Sequence, residues 1–154
     1  MTFIALTTGP LFVLGLGLIH HIGVLTIIRI TPHAGGRGHA AVLVTFTGLL
    51  LLHSLEIVAA ALALAGLLRI EAFGALAGAY SGTWEGLIYF SGMSFVTLGY
   101  SDIKAEGPIR LVAMFLSLGG FMVLTWSATL LYSVCGKAWQ QGGYSSDEAP
   151  DRNS

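Results

Sequence analysis

Charge is what this chain has least of. Asp, Glu, Lys and Arg make up 10% of its 154 residues, while 55% are hydrophobic. A soluble domain carries roughly 25% charged residues, so this composition cannot cover a water-facing surface, and a lipid bilayer is the expected solvent. Basic blocks are missing and the net charge is -1, which argues against nucleic acid as a partner. A single cysteine, Cys135, excludes an internal disulfide framework. At the end of an apolar run it reads as a small buried or lipid-facing residue. No internal repeat is present, so a symmetric site would have to be assembled from several chains. No catalytic residues and no cofactor are assigned.

What remains is three long apolar runs. The first covers roughly 10–29, with Pro10 suited to the first turn of a helix. A signal peptide is the competing reading of this run. Against it, no Lys or Arg precedes the run and no small-residue cleavage site is obvious. Residues 31–38, Thr-Pro-His-Ala-Gly-Gly-Arg-Gly, form a turn. The second run, 39–69, carries His53 and Glu56 near its middle, and the third, 108–135, has Gly119-Gly120 near its centre. Residues 72–83 are Gly- and Ala-rich, with 103–108 a charged counterpart; both are expected to be loops. The polar segment 137–154 is expected to be a disordered tail.

Between the second and third runs lies 83–96, apolar and aromatic but too short to cross a bilayer. Thr83 is a plausible helix N-cap, and Glu85 suits the positive end of the helix dipole. A short helix followed by non-helical backbone implies a re-entrant loop, which is tolerated only when buried in protein or lining a wet cavity.

That segment ends in Thr97-Leu98-Gly99-Tyr100-Ser101-Asp102, with Tyr89-Phe90 ahead of it. The hexapeptide resembles the Thr-Val-Gly-Tyr-Gly-Asp selectivity filter of potassium channels, and 39–135 resembles a bacterial-type potassium channel pore of outer helix, pore loop and inner helix. The resemblance implies an all-α membrane protein with three transmembrane helices, a re-entrant pore helix and a selectivity-filter loop. Its division would be 1–38 for an extra N-terminal helix and turn and 39–136 for the pore domain. Within the latter, the outer helix would be 39–69, the pore helix 83–96, the filter 97–102 and the inner helix 108–135. In that family, backbone carbonyls of four converging loops replace the water around potassium. By the same logic Thr97, Leu98, Gly99, Tyr100 and Ser101 would bind potassium in a homotetramer embedded in the lipid bilayer. Gly99 suits a positive φ. Asp102 would gather cations at the mouth, and Tyr89 and Phe90 would form an aromatic cuff, with Tyr89 bonding Asp102 behind the filter. Three positions depart from the pattern: Ser101 stands for the second filter glycine, Leu98 for Val, and Met93 where some channels keep a buried carboxylate.

Other expectations rest on that frame. The filter mouth would face outside, which puts the N-terminus outside the cell membrane and the 31–38 turn and C-terminal tail in the cytoplasm. Charge does not decide orientation, because Arg29, Arg37, Lys137 and Arg152 would be inside against Arg69, Lys104 and Arg110 outside. Voltage gating lacks its periodic arginines, and gating by a cytosolic ligand has no support. On a 100° wheel Phe121, Leu124, Thr125, Ala128 and Tyr132 share the face that would line the cavity. Gly119 and Gly120 serve either as a hinge or for close packing. Glu56, at mid-membrane depth, needs a partner among His53, Trp126, Ser127, His20 and His21. The group would be a static clasp or a proton-sensitive latch.

The rival functions are a weakly selective monovalent cation channel, a membrane haem protein using His20, His21 and His53, and a non-conducting accessory subunit.

Overall fold

A computed structural model describes residues 2–32, 38–99 and 101–141. Tyr100, most of the 31–38 turn and 142–154 lie outside the described residues, and with them the expectations placed on Tyr100 and on that part of the tail.

Three long helices carry the apolar runs: α1 (Thr2–Ile30), α2 (Gly38–Leu68) and α4 (Ile109–Gln141), with the short α3 (Trp84–Phe95) between the last two. At about 1.5 Å per residue each long helix exceeds the ~30 Å hydrocarbon core of a bilayer. Most of their large outward-facing residues are apolar, among them Leu11, Leu14, Leu18, Leu43, Leu51, Leu55 and Met122. The chain is therefore a multi-pass membrane protein.

Two helix ends differ from expectation. Pro10 is inside α1 rather than at its start. The missing N–H loses one rung, yet residues 2–9 continue the helix, and the Thr7 hydroxyl donates to the carbonyls of Phe3 and Ile4 at 3.2 and 2.9 Å. At the other end α4 runs past Cys135 to Gln141. The stretch Gly136 to Gln141 lacks proline, and its single glycine does not stop the helix.

The segments on either side of α3 are not plain loops. Residues 75–78 (β1) and 103–106 (β2) pair antiparallel, from Ala75 opposite Glu106 to Gly78 opposite Ile103. Gly74 and Gly78 make this possible: both have positive φ, and a Cβ on either would sit 2.1 and 2.2 Å from the carbonyl oxygens of Glu106 and Asp102. The Ala79 N–H donates to Asp102 O at 3.1 Å and extends the ribbon. The ribbon thus holds together the two ends of the segment running from residue 79 to 102. That segment enters and returns on one side, as a re-entrant loop must.

Close contacts fix the helix directions. Gly9 meets Phe115, Gly119 meets Val13, and His20 meets Ser127, so α1 runs parallel to α4. Gly23 meets Leu52 and Gly48 meets Ile27, so α2 runs antiparallel to α1. The larger core joins Leu16, Ala60, Leu64, Leu87, Phe90, Phe95, Ile109, Val112 and Leu116 near the ribbon end. A smaller cluster of Val24, Ile27, Leu49 and Leu52 lies toward the other end. Between the two sits a polar layer.

Candidate functional site

The first part of the site is the tip of the re-entrant loop. Thr83, in extended conformation, caps α3 by accepting the Gly86 N–H at 3.2 Å. The helix ends at Phe95, and the next residues close it in a Schellman pattern. The Thr97 N–H donates to Ser94 O at 3.1 Å and the Leu98 N–H to Met93 O at 3.2 Å. This pattern needs a left-handed residue, usually glycine, and here Thr97 takes it with φ 59°. A β-branched residue in that conformation is strained by about 1–2 kcal/mol. Gly99 is also left-handed, at φ 65°. Thr97, Leu98 and Gly99 all lie exposed in the single chain.

The tip is seated on α4. A Cβ on Gly120 would fall 1.9 Å from the Phe95 carbonyl oxygen, and one on Gly119 would fall 2.9 Å from Val13. Gly120 thus lets the end of α3 touch the α4 backbone, and Gly119 admits α1. The helix is continuous through both, so of the two roles foreseen for this pair the structure displays close packing.

Several expected details are placed differently. Phe90 is buried in the core rather than forming a cuff. Tyr89 is about half exposed and, among the described residues, makes no hydrogen bond with Asp102. Both differences have one cause: α3 turns its Leu87/Phe90/Ser91 face inward against α2 and α4, which leaves Tyr89 on the opposite face. The Ser101 hydroxyl accepts the Ile103 N–H at 3.1 Å. On the expected cavity face Phe121, Thr125, Ala128 and Tyr132 are exposed, while Leu124 is half-buried against the core. The Thr125 hydroxyl is turned back to Phe121 O at 2.8 Å.

The second part is the polar layer. Glu56 on α2 has no exposed surface, nor does His20 on α1. The His20 Nδ1 lies 2.9 Å from Glu56 Oε1, and the His53 Nδ1 lies 2.8 Å from Glu56 Oε2. One carboxylate therefore accepts from two imidazoles. The His20 Nε2 faces the Ser127 hydroxyl at 3.5 Å. Aromatic rings brace the pair: Trp126 tilts over His20 at 5.3 Å between centroids and over His21 at 5.7 Å, and Phe95 lies 5.9 Å from His53. Every group foreseen around Glu56 is gathered here, and Phe95 joins the layer to the loop tip. Phe95 is the participant that sequence reasoning missed; its position at the last turn of α3 was the available signal. A haem between His20 and His53 has no room, because their rings stack 13° from parallel with centroids 5.6 Å apart.

Comparison with known proteins agrees with this geometry. The sequence model of a family described as "Ion channel" matches residues 56–137, more than half of the chain. The chain belongs to this ion-channel family. The matched span begins at Glu56 and takes in α3, the loop tip and nearly all of α4. Among curated proteins and among solved structures nothing matches. In this ion channel the matched span covers the second part of α2, all of α3 and most of α4, and α1 lies before it.

Proposed function

We propose that this ion channel is a potassium-selective homotetramer that conducts passively. The observation that carries the reading is the left-handed Gly99 inside Thr97-Leu98-Gly99-Tyr100, at the tip of a capped re-entrant helix. A positive φ there turns successive carbonyls to one side, the arrangement needed for a ring of oxygens around a dehydrated cation. One chain supplies one such loop, so a closed ring requires cyclic symmetry. The outward exposure of Thr97, Leu98 and Gly99 in a single chain supports assembly around that axis.

In this reading Thr97 to Tyr100 hold the inner ion sites, with Ser101 at the outermost and Asp102 at the mouth. Phe121, Thr125, Ala128 and Tyr132 line the cavity below, with Leu124 at its edge. The ribbon of β1 and β2 faces outside the cell membrane, so α1 begins outside and α4 ends in the cytoplasm. The decisive experiment is potassium flux into liposomes by wild type and Gly99→Ala, with subunit number measured by native mass spectrometry. Selective flux lost in the variant, from a tetramer, is the expected result. Unchanged flux or a stable monomer defeats the reading.

One observation favours a second reading, a weakly selective monovalent cation channel. Ser101 stands where the family pattern has the second filter glycine, and its hydroxyl accepts the Ile103 N–H. The outermost ion site is then shaped differently from the glycine form. Permeability ratios for potassium and sodium distinguish the two.

A further inference from the structure

We propose that His20, His53 and Glu56 form a site for a divalent transition-metal ion of the zinc class, one that staples α1 to α2 within the membrane. The inference is independent of which ion the pore conducts.

The ligand set is the first argument. Two imidazole nitrogens and a carboxylate oxygen, one per residue, lie within 4.8 Å of one another. Imidazole selects zinc-like ions, whereas potassium, magnesium and calcium take oxygen. Two histidines and one glutamate, with a fourth position open, is a known zinc arrangement.

The geometry is close to what a metal needs. Ligand bonds of about 2.0–2.1 Å in a tetrahedron put donor atoms ~3.4 Å apart. The present separations from Nδ1 to carboxylate oxygen are 2.9 and 2.8 Å. These contacts are to different oxygens of Glu56, and one ligand atom from each residue lies within 4.8 Å of the others, so side-chain shifts of about an ångström bring them to ligand spacing. Both histidines already present the same atom, Nδ1, to the same carboxylate. The Ser127 hydroxyl at His20 Nε2 can accept the ring N–H left after metal binding, the outer contact that orients metal-bound histidine. Trp126 and Phe95 restrict the two rings.

Charge is the second argument. Glu56 is fully buried, and among the described residues its polar contacts are the two histidines, with no Lys or Arg. Buried carboxylates are paired with cations or coordinate metals. A divalent ion carrying one hydroxide, bound to the carboxylate and two neutral imidazoles, gives a cluster of zero net charge, the form that hydrocarbon surroundings favour. Entry is from the side of His53, the one ligand with exposed surface. It borders a cavity of about 200 Å³ lined by Phe46, Leu49, Leu50, Ser127, Ala128 and Leu131.

The test uses the full chain in detergent, carrying a purification tag free of histidine, equilibrated with cobalt or zinc and then dialysed. Metal per chain is counted by plasma mass spectrometry, and cobalt coordination is read from its visible spectrum. The expected result is one metal per chain with the strong absorption of four-coordinate cobalt. Affinity falls more than about 100-fold in His20→Asn, His53→Asn and Glu56→Gln, about 10-fold in Ser127→Ala, and not at all in His21→Asn. Uptake that is equal in wild type and the three ligand variants marks a hydrogen-bonded clasp and overturns the proposal, as does wild type that takes up no metal. Should a ligand variant not fold, X-ray absorption of zinc-loaded wild type decides. Two imidazoles and an oxygen in the first shell uphold the site, and any other set of ligands refutes it.

Discussion

Thr97, Leu98 and Gly99 face outward from the chain, whereas His20 and Glu56 have no exposed surface. The two regions touch through Phe95, which ends the pore helix and leans on His53. In the polar layer one chain supplies every partner: the carboxylate has two imidazoles, and the far nitrogen of His20 has a hydroxyl. At the loop tip one chain supplies a strained turn and exposed residues. On the proposed reading, folding of the protomer and function of the assembly rest on different residues. A substitution in the layer should act on protomer stability first, and one at the tip should act on conduction first.

The largest effect should come from the layer. Glu56→Ala leaves two imidazoles facing each other with nothing between, inside packed helices. Breaking a buried pair of this kind costs about 3–5 kcal/mol. Thermal unfolding in detergent, without added metal, should show the loss, while Glu56→Gln keeps acceptors and donors and loses less. Equal stability of the two variants would remove the layer's claim to hold the protomer together. Next is the junction. Gly120→Ala places a methyl group 1.9 Å from the Phe95 carbonyl, where backbone meets backbone and no side chain can yield. A cost of up to ~3 kcal/mol and a displaced filter tip are expected. Gly119→Ala meets only the Val13 side chain and should cost less. Flux and melting temperature measured together for the two variants test the ranking.

Much of this contrast was legible in the sequence, and the reasons are specific. Long apolar runs and the Thr83 cap mark helices because hydrocarbon demands internal backbone pairing. A carboxylate at mid-span must find partners, so Glu56 points to His53, Trp126, Ser127, His20 and His21, of which His20 and His53 bond it. The ribbon was not seen. Ile103-Lys104-Ala105-Glu106 alternates in the period of a strand, but only over four residues, and Gly74 and Gly78 read as loop glycines until their opposing carbonyls are in place. Pro10 was read as a helix start because the rule for proline weighs local geometry. In a bilayer, an added stretch of apolar helix outweighs one lost rung. The roles of Tyr89 and Phe90 were carried from the family pattern, and the facing of a short helix depends on what it packs against, which spacing alone does not supply.

A smaller effect, and a sharper test of the division, is expected at Thr97. Glycine at this position relieves the left-handed strain, worth about 1–2 kcal/mol, less what glycine's extra freedom returns to the unfolded chain. Thr97→Gly should therefore melt slightly higher than wild type. On the proposed reading it also removes a hydroxyl at the innermost ion site, so selective potassium flux should fall. Stability and conduction moving in opposite directions would show that the strain is kept for conduction. Both falling together would show that Thr97 serves the fold.

Ser101 should give a change in stability that is also small and of the opposite sign, and still separate the two readings of selectivity. Its hydroxyl accepts the Ile103 N–H at 3.1 Å, at the point where the filter exit becomes β2. Removing that bond in Ser101→Gly costs about 0.5–1.5 kcal/mol, and the added backbone freedom lowers stability a little further. The same freedom lets residue 101 enter the left-handed region, which favours glycine. If a glycine conformation there completes the outermost ion site, the variant should be slightly less stable and more selective for potassium over sodium. Permeability ratios from reversal potentials, paired with melting curves, measure both. The same ratio in both proteins would place selectivity wholly in Thr97 to Tyr100. A lower ratio in the glycine variant would mean that the bond from Ile103 to Ser101 itself holds the outer carbonyls in line, so that in this chain the ribbon does work that the second filter glycine does in the family it resembles.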